Sequence, residues 1–344
     1  MNLVKNYIGA ISQTSEKNAS MVKRIVWVDY FKALGIFLIV WGHAFIDFKD
    51  LTYFLFTFHV PLFFFVSGYL EKTAPTNIKN YIYKVLFTLV SPYIIWNLLS
   101  FVFHPHYSFS HLFSLITGFS RWNGASWFLM VLAFLKINAL FYKNRKYIIA
   151  IPLTILLIAI SLWGGVNKDI RLPFIIELTF IFMPFFFFGM YGKKIIDYIS
   201  KNLSNKLVCF LGALFSFILL IILYNFSPIL HTHSIRDFIS QFHMLWISGF
   251  LGIISLFMLC HCFGNVERKL VTLISSATLF IMCSHYEIFS FITPYLTVNY
   301  GDFVTHTFVF CFFILQCAFI PIIIKYFPLL AGRYYRKKID YKLT

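Results

Sequence analysis

Residues 27–47 read WVDYFKALGIFLIVWGHAFID, and this stretch decides the fold class. At about 1.5 Å per residue, a helix of this length crosses a hydrocarbon core of about 30 Å. The stretch is apolar except for a few ionisable side chains, each of which costs roughly 3 kcal/mol at the centre of a bilayer. Such side chains usually face the interior of a helix bundle and mark a functional site. The stretch therefore predicts a membrane helix that carries chemistry.

The whole chain repeats this apolar pattern. It has 344 residues, of which 60% are apolar and 12% are charged, whereas soluble domains carry roughly 25% charged residues. The predicted fold is all-α, a single polytopic transmembrane domain over residues 25–327, between an N-terminal tail (1–24) and a basic C-terminal tail (328–344). About ten spans are predicted, at residues 25–46, 51–70, 81–103, 126–142, 147–164, 172–191, 207–226, 238–263, 270–296 and 303–327.

The formal charge of +16 comes from 29 Lys and Arg against 13 Asp and Glu. With the N-terminus in the cytoplasm, 23 of these basic residues lie inside and five outside, and Lys32 lies within the first span. The positive-inside rule therefore predicts that both termini are cytoplasmic. The charge indicates membrane orientation and not nucleic-acid binding. The cysteines lie in or beside apolar runs and are predicted to be buried, reduced thiols: Cys209, Cys260, Cys262, Cys283, Cys311 and Cys317.

The first span holds four ionisable residues. Lys32 and His43 are eleven residues apart, which places them within about 20° on one helix face and about 16 Å apart along the axis. Asp29 precedes Lys32 by three residues and is placed to neutralise it. Asp47 follows His43 by four residues and is placed to orient its imidazole. This stripe predicts a functional face.

Two other spans carry histidines that are candidates for the site. The second contains FHVPLFFFVSGYL (58–70). In it, His59 is either an active-site group or a cap for the backbone carbonyl that lacks a donor because Pro61 has no N–H. Ser67 and Gly68 end this segment with small residues that permit close helix approach. The ninth contains SSATLFIMCSHYEIF (275–289), in which His285 is the better candidate than Glu287. No metal is expected, because no zinc-binding motif surrounds the outer-loop histidines His104, His106, His111, His231 and His233.

These segments together resemble the membrane acyltransferase 3 family, which acetylates sugars of surface polysaccharides, and are most similar to its fucose O-acetylase-like branch. The resemblance rests on a basic residue and a histidine separated by ten residues (Lys32 and His43), on FHVPLFFFVSGYL, on SWFLMVL around Trp127, and on SHYEI around His285. It extends in order over most of the chain. One departure is Lys32, where the family pattern has Arg, because Lys keeps the charge and loses the bidentate fork.

The resemblance implies an O-acetyltransferase of a bacterial-type cytoplasmic (inner) membrane. Acetyl-CoA would be the donor, and the acceptor a sugar hydroxyl of a polysaccharide or of its lipid-linked precursor. His43 would be the general base, or form an acetyl-histidine in a covalent variant. The implied site divides into a catalytic set of His43, Lys32 and Asp47, a donor-binding set of Lys32, Asp29 and His285, and an acceptor-binding set of His59, Trp127 and Arg121.

Two other classes stay open. A transporter or flippase for a lipid-linked sugar also needs many helices and intramembrane polar groups. Transporters often have inverted repeats and broken helices, but no repeat is visible and Pro61 is the only break signal among the spans with ionisable residues. A structural or sensory membrane protein explains the hydrophobicity but leaves the Lys32–His43 stripe without a cause.

Overall fold

The computed structural model describes residues 24–44, 49–71, 77–102, 113, 118, 123–166, 172–227, 230, 239 and 242–333. Every regular element within these ranges is helical. The α-helices are α1 (Val26–Ala44), α2 (Lys49–Phe56), α3 (His59–Tyr69), α4 (Ile78–Val85), α5 (Ser91–Val102), α6 (Trp127–Lys143), α7 (Tyr147–Val166), α8 (Thr179–Tyr191), α9 (Lys193–Asn202), α10 (Lys206–Phe226), α11 (Phe242–Cys262), α12 (Lys269–Ser276) and α13 (Thr278–Tyr326).

Eight helical segments of the described chain are long and apolar enough to cross a membrane. They fall on the predicted spans, with ends that differ by a few residues. The predicted fourth span is α6, which has 17 residues. The predicted ninth and tenth spans both lie in the 49-residue α13 and the short α12 before it. An all-helical membrane protein is therefore confirmed, and the count of ten spans and the cytoplasmic termini stay predictions.

Helix α13 is two antiparallel arms. Gly301 has φ +80° and ψ 176°, which interrupts the helix between residues 278–300 and 302–326. The hydroxyls of Thr297 and Thr305 lie 3.1 Å apart, although residues eight apart in one straight helix are separated by about 12 Å. Further along the arms, the rings of Phe289 and Phe312 lie 5.6 Å apart. Gly301 is thus the turn of a helical hairpin, at the predicted boundary between two spans.

Breaks inside the other spans are more frequent than the sequence indicates. Helices α2 and α3 are separated by Thr57 and Phe58, and residues Leu86–Val90 form a π-helical segment. Ala277 (φ −133°, ψ 27°) separates α12 from α13 with no Gly or Pro nearby. The Ala277 break therefore carries no sequence signal comparable to Pro61, and its carbonyls are bound by residues distant in the chain.

Helices α3 and α8 cross at backbone contact. A Cβ on Gly68 would meet the carbonyl of Phe186, and a Cβ on Gly189 would meet the carbonyl of Phe65. Close approach at Gly68 is thus confirmed. Phenylalanine rings fill the layer around the crossing, as in the 4.6 Å stack of Phe64 on Phe182. This crossing fixes the depth at which α3 presents its first residue, His59.

Helix ends that the prediction places on one side of the membrane also meet in the structure. Tyr69 donates a 2.6 Å hydrogen bond to Asp197 on α9, an amphipathic helix between the predicted spans 172–191 and 207–226. Glu71 pairs with both Lys136 and Lys143. All six cysteines are free thiols, and Cys209, Cys260, Cys283 and Cys317 are buried. The prediction of burial was wrong for Cys311, which is exposed on α13, and Cys262 is only partly buried.

Candidate active site

His43 lies next to His285 at the end of α1. The Nδ1 atom of His43 is 2.7 Å from Nε2 of His285, and Nδ1 of His285 is 2.9 Å from the Ile281 carbonyl. A carbonyl only accepts, so His285 donates from Nδ1, and its Nε2 in the neutral ring accepts from Nδ1–H of His43. Neutral His43 is then left with an unprotonated Nε2, which is the form that a general base requires.

His59 is the first residue of α3. It directly follows Thr57 and Phe58, the two residues that separate α2 from α3. Its Nδ1 bonds the Leu55 carbonyl. It does not bond the Thr57 carbonyl, which lacks its usual helical donor because Pro61 has no backbone N–H. The side chain is 1% exposed, and its Nε2 has no hydrogen-bond partner among the described residues. Its ring centroid lies 6.3 Å from that of His43. The same ring thus caps a carbonyl and presents a free acceptor beside His43.

A small cavity of about 40 Å³ separates these groups from α6. A molecule of water occupies about 30 Å³ in the liquid, so the cavity has room for only a few atoms. Its walls are almost entirely apolar, apart from the two imidazoles of His43 and His59. Trp127, which is 7% exposed, is one of these walls. The remaining lining comes from the start of α6, the turn before it and neighbouring helices: Gly124, Ala125, Phe128, Ile39, Phe56, Val60, Phe63 and Met282.

A buried amide and hydroxyl network holds the turn before α6. The Nδ2 of Asn97 donates to the Tyr93 carbonyl (2.7 Å) and to Ser126 Oγ (2.9 Å). Its Oδ1 accepts from the backbone N–H of Asn123 at 3.2 Å. Asn123 in turn donates from Nδ2 to the Cys283 carbonyl at 3.0 Å, two residues before His285. The network therefore ties the turn to the helix that carries His285.

Sequence reasoning missed Asn97 and Asn123. Both are fully buried, and buried amides are usually retained for specific hydrogen bonds. Asn97 is the only amide in the apolar run YIIWNLLSF (93–101), which was an available signal. Asn123 stands in a polar loop in the sequence, so nothing local indicates that it is buried.

Lys32 and Asp29 lie elsewhere on α1. Lys32 Nζ donates to the Ser275 carbonyl at 2.5 Å, and Ser275 Oγ donates to Asp29 Oδ1 at 2.5 Å. The next carbonyl, Ser276, accepts from Arg333 at 3.0 Å. Two cations thus bind the carbonyls at the α12–α13 break, where the helix end carries partial negative charge. Eleven residues of helix, about 16 Å, separate this cluster from His43.

The structure brings four of the sequence-predicted site residues together: His43, His59, Trp127 and His285. His285 contacts His43 itself and not the Lys32 cluster. Asp47 and Arg121 lie outside the described residues, as do the five outer-loop histidines. The imidazole of His43, which Asp47 was expected to orient, bonds His285 through Nδ1.

The fold and these contacts define an integral-membrane helical bundle in which His43 and His59 line a small cavity and His285 contacts His43. The family follows from comparison with known proteins. A family model described as an acyltransferase domain, Acyl_transf_3, matches residues 25–324. The chain therefore belongs to this acyltransferase family and is a membrane acyltransferase. No curated protein and no solved structure matches the chain.

Proposed function

We propose that this membrane acyltransferase is an O-acetyltransferase that moves an acetyl group from acetyl-CoA to a sugar hydroxyl. The observation that carries the proposal is the hydrogen-bond chain from the Ile281 carbonyl through His285 to His43. It fixes the tautomer of His43, so that an unprotonated Nε2 is available. An acid or base held in one tautomer by a second group is the arrangement used in acyl-transfer triads.

The chemistry follows from that tautomer. Nε2 of His43 takes the proton of the acceptor hydroxyl as its oxygen attacks the thioester carbonyl carbon, and the carbonyl π electrons move to oxygen. When the tetrahedral intermediate collapses, the C–S bond breaks and the CoA sulfur takes the proton back from His43. In the covalent variant, Nε2 itself attacks the thioester carbonyl carbon, the C–S bond breaks and the CoA thiolate leaves. The acceptor hydroxyl oxygen then attacks the acetyl carbon of acetyl-His43, the C–N bond breaks to restore neutral His43, and the hydroxyl proton passes to the thiolate.

The donor would enter from the end of α1 that carries Lys32. Arg24 and Arg333 lie close enough to Lys32 to interact with it electrostatically, and Asp29 is the nearby acid. A net positive cluster suits the phosphates of CoA. The pantetheine arm is a long flexible chain, and it would cover the distance of about 16 Å along α1 between this cluster and His43. Lys32 would therefore stabilise the helix break and help to bind the phosphates of CoA. It would not touch the thioester carbonyl that reacts.

The acceptor would be a surface polysaccharide or its lipid-linked precursor in a bacterial-type inner membrane. This assignment rests on the resemblance to the fucose O-acetylase-like branch. Mass spectrometry of surface glycans with and without the gene tests it, and loss of one acetyl group is the expected result. An unchanged glycan profile contradicts the polysaccharide acceptor.

A flippase for a lipid-linked sugar is a second candidate, because helix breaks at Thr57–Phe58 and Ala277 interrupt two spans. Broken helices are common at transporter substrate sites. The two functions differ in donor use. In proteoliposomes containing a lipid-linked sugar, an acetyltransferase consumes acetyl-CoA in proportion to the acetylated product. A flippase moves the sugar lipid across the membrane when acetyl-CoA is omitted.

A further inference from the structure

Helix α6 begins at the wall of the cavity. Gly124 and Ala125 in the turn, and Trp127 and Phe128 in the first helical turn, all line it. The first N–H groups of a helix have no acceptor within the helix, and they form the positive end of its dipole. A buried helix start therefore requires other acceptors for these groups, and a capping side chain is the usual one.

The side chain of Ser126, the residue at the N-cap position of α6, does not accept a hydrogen bond from these N–H groups. Ser126 makes no side-chain capping bond, because its hydroxyl donates to the Asn123 carbonyl at 2.7 Å and accepts from Asn97 at 2.9 Å. The N–H of Leu129 bonds the Ser126 carbonyl at 3.0 Å. Within the part of the chain that the structure describes, the N–H groups of Trp127 and Phe128 have no acceptor.

A separate group also points to a polar occupant of this cavity. His59 lines it and is 1% exposed, and its Nε2 lacks a hydrogen-bond partner among the described residues. Buried polar atoms are nearly always hydrogen-bonded. Trp127 and Phe128, whose N–H groups are free among the described residues, line the same cavity as His59. An acceptor nitrogen and N–H donors carried by the lining of one cavity suit a hydroxyl group and a carbonyl oxygen that meet there.

We propose that the N–H groups of Trp127 and Phe128 form the oxyanion hole of the transfer reaction. This inference rests on the proposed acetyl transfer. As the hydroxyl oxygen bonds the thioester carbon, the carbonyl oxygen becomes negative, and the N–H groups donate to it until the C–S bond breaks. The Asn97–Ser126 bond keeps the donors free, because it engages the hydroxyl that would otherwise cap them. Asn97 and Ser126 are therefore positioning residues.

Backbone substitution tests the donors directly. Phenyllactic acid, introduced at position 128 by nonsense suppression, replaces the N–H with an ester oxygen and keeps the phenyl ring. The matched control is phenyllactic acid at position 134, which removes an N–H from the interior of the same helix. The position-128 ester removes no hydrogen bond of the folded protein, so it should fold at least as well as the control. Indole-lactic acid at position 127 is the second variant.

Acetyl transfer is measured per folded protein in proteoliposomes. Loss of one oxyanion donor costs about 10²–10³-fold in kcat, so the esters at 127 and 128 should each lower kcat by that factor with an unchanged KM for acetyl-CoA. The position-134 ester should keep the wild-type kcat. Esters at 127 and 128 that both match the position-134 ester would overturn the inference. Absence of acetyl transfer by the wild type would contradict the proposed function itself.

Discussion

Nε2 of His285 lies 2.7 Å from Nδ1 of His43, and the two residues are 242 positions apart in the chain. The Ile281 carbonyl orients His285, and His285 orients His43. The donors all point in one direction along this chain, because the carbonyl can only accept. His43 donates to His285, and His285 donates to the carbonyl of Ile281. In the proposed reaction, His285 is therefore a positioning residue for His43.

Replacement of His285 should lower kcat in a graded manner. Gln supplies an amide oxygen that can accept from His43 Nδ1–H, whereas Phe fills a similar volume with no acceptor. We expect His285→Phe to lower kcat by about 10²-fold, within the range for losing correctly oriented general base catalysis, and His285→Gln to lower it less. KM for acetyl-CoA should stay near the wild-type value. Equal losses in both variants would indicate a packing role only.

Lys32 should matter for stability as well as for the donor. Its ammonium group is the partner of the Ser275 carbonyl, and an unsatisfied buried acceptor costs about 1–3 kcal/mol. We expect Lys32→Met to lower the free energy of unfolding by that amount and to raise KM for acetyl-CoA, with Lys32→Arg close to the wild type in both. Unfolding is followed by titration with denaturing detergent. An unchanged stability in Lys32→Met contradicts the capping role.

The α3–α8 crossing should tolerate no side chain at Gly68. The added methyl would meet the Phe186 carbonyl, and overpacking of this kind costs typically 1–3 kcal/mol or more. Gly42 is the matched control, because its Cβ would meet only the side chain of Leu55, at 3.4 Å and beyond. Thermal unfolding in detergent should show a large loss of stability for Gly68→Ala and a small one for Gly42→Ala. Similar values would contradict the backbone contact.

The ion pair of Glu71 should make stability depend on pH. Burial alone raises the pKa of Glu71, but the ammonium groups of Lys136 and Lys143 together lower it by a larger amount. The pKa therefore lies below its ordinary value of 4.5. The resulting stabilisation is fully present above pH 4.5 and is lost as the pH falls through the lower folded pKa. Burial also lowers the pKa of Lys143, so the cost of dehydrating its ammonium group offsets part of the gain.

Glu71→Gln tests this pair. It leaves two ammonium groups without their carboxylate, and removal of one partner from a buried pair costs about 3 kcal/mol. We expect that loss at pH 7, and a smaller difference from the wild type as the pH falls below 4.5. Glu267→Gln, at an exposed carboxylate, is the control. A difference between Glu71→Gln and the wild type that is the same at every pH would contradict the ion pair.

Much of the fold could be predicted from the sequence, because apolar length and hydropathy are local properties of the chain. The first span, the hairpin boundary near Gly301 and the close approach at Gly68 follow from such local patterns. The break at Ala277 could not be predicted, since Lys32 and Arg333, 245 and 56 residues away in the chain, supply the partners for its carbonyls. Breaks that depend on distant cations leave no Gly or Pro signal.

The candidate site could be predicted only in part for the same reason. His43 and His285 stand out because each is an ionisable residue in an apolar helix. Their contact, and therefore the tautomer of His43, depends on how α1 packs against α13, which no periodicity encodes. Asn97 and Asn123 act through hydrogen bonds between segments, so their role appears only when the turn before α6 meets the carbonyl of Cys283.

The most direct measurement is transfer of radiolabelled acetyl from acetyl-CoA to a lipid-linked or polymeric sugar by the purified protein in proteoliposomes. His43→Ala removes the base and should lower kcat by about 10²–10⁴-fold, with folding verified by size-exclusion chromatography. Gly42→Ala, one residue away on the same helix, should retain activity. Wild-type turnover by well-folded His43→Ala would contradict the account.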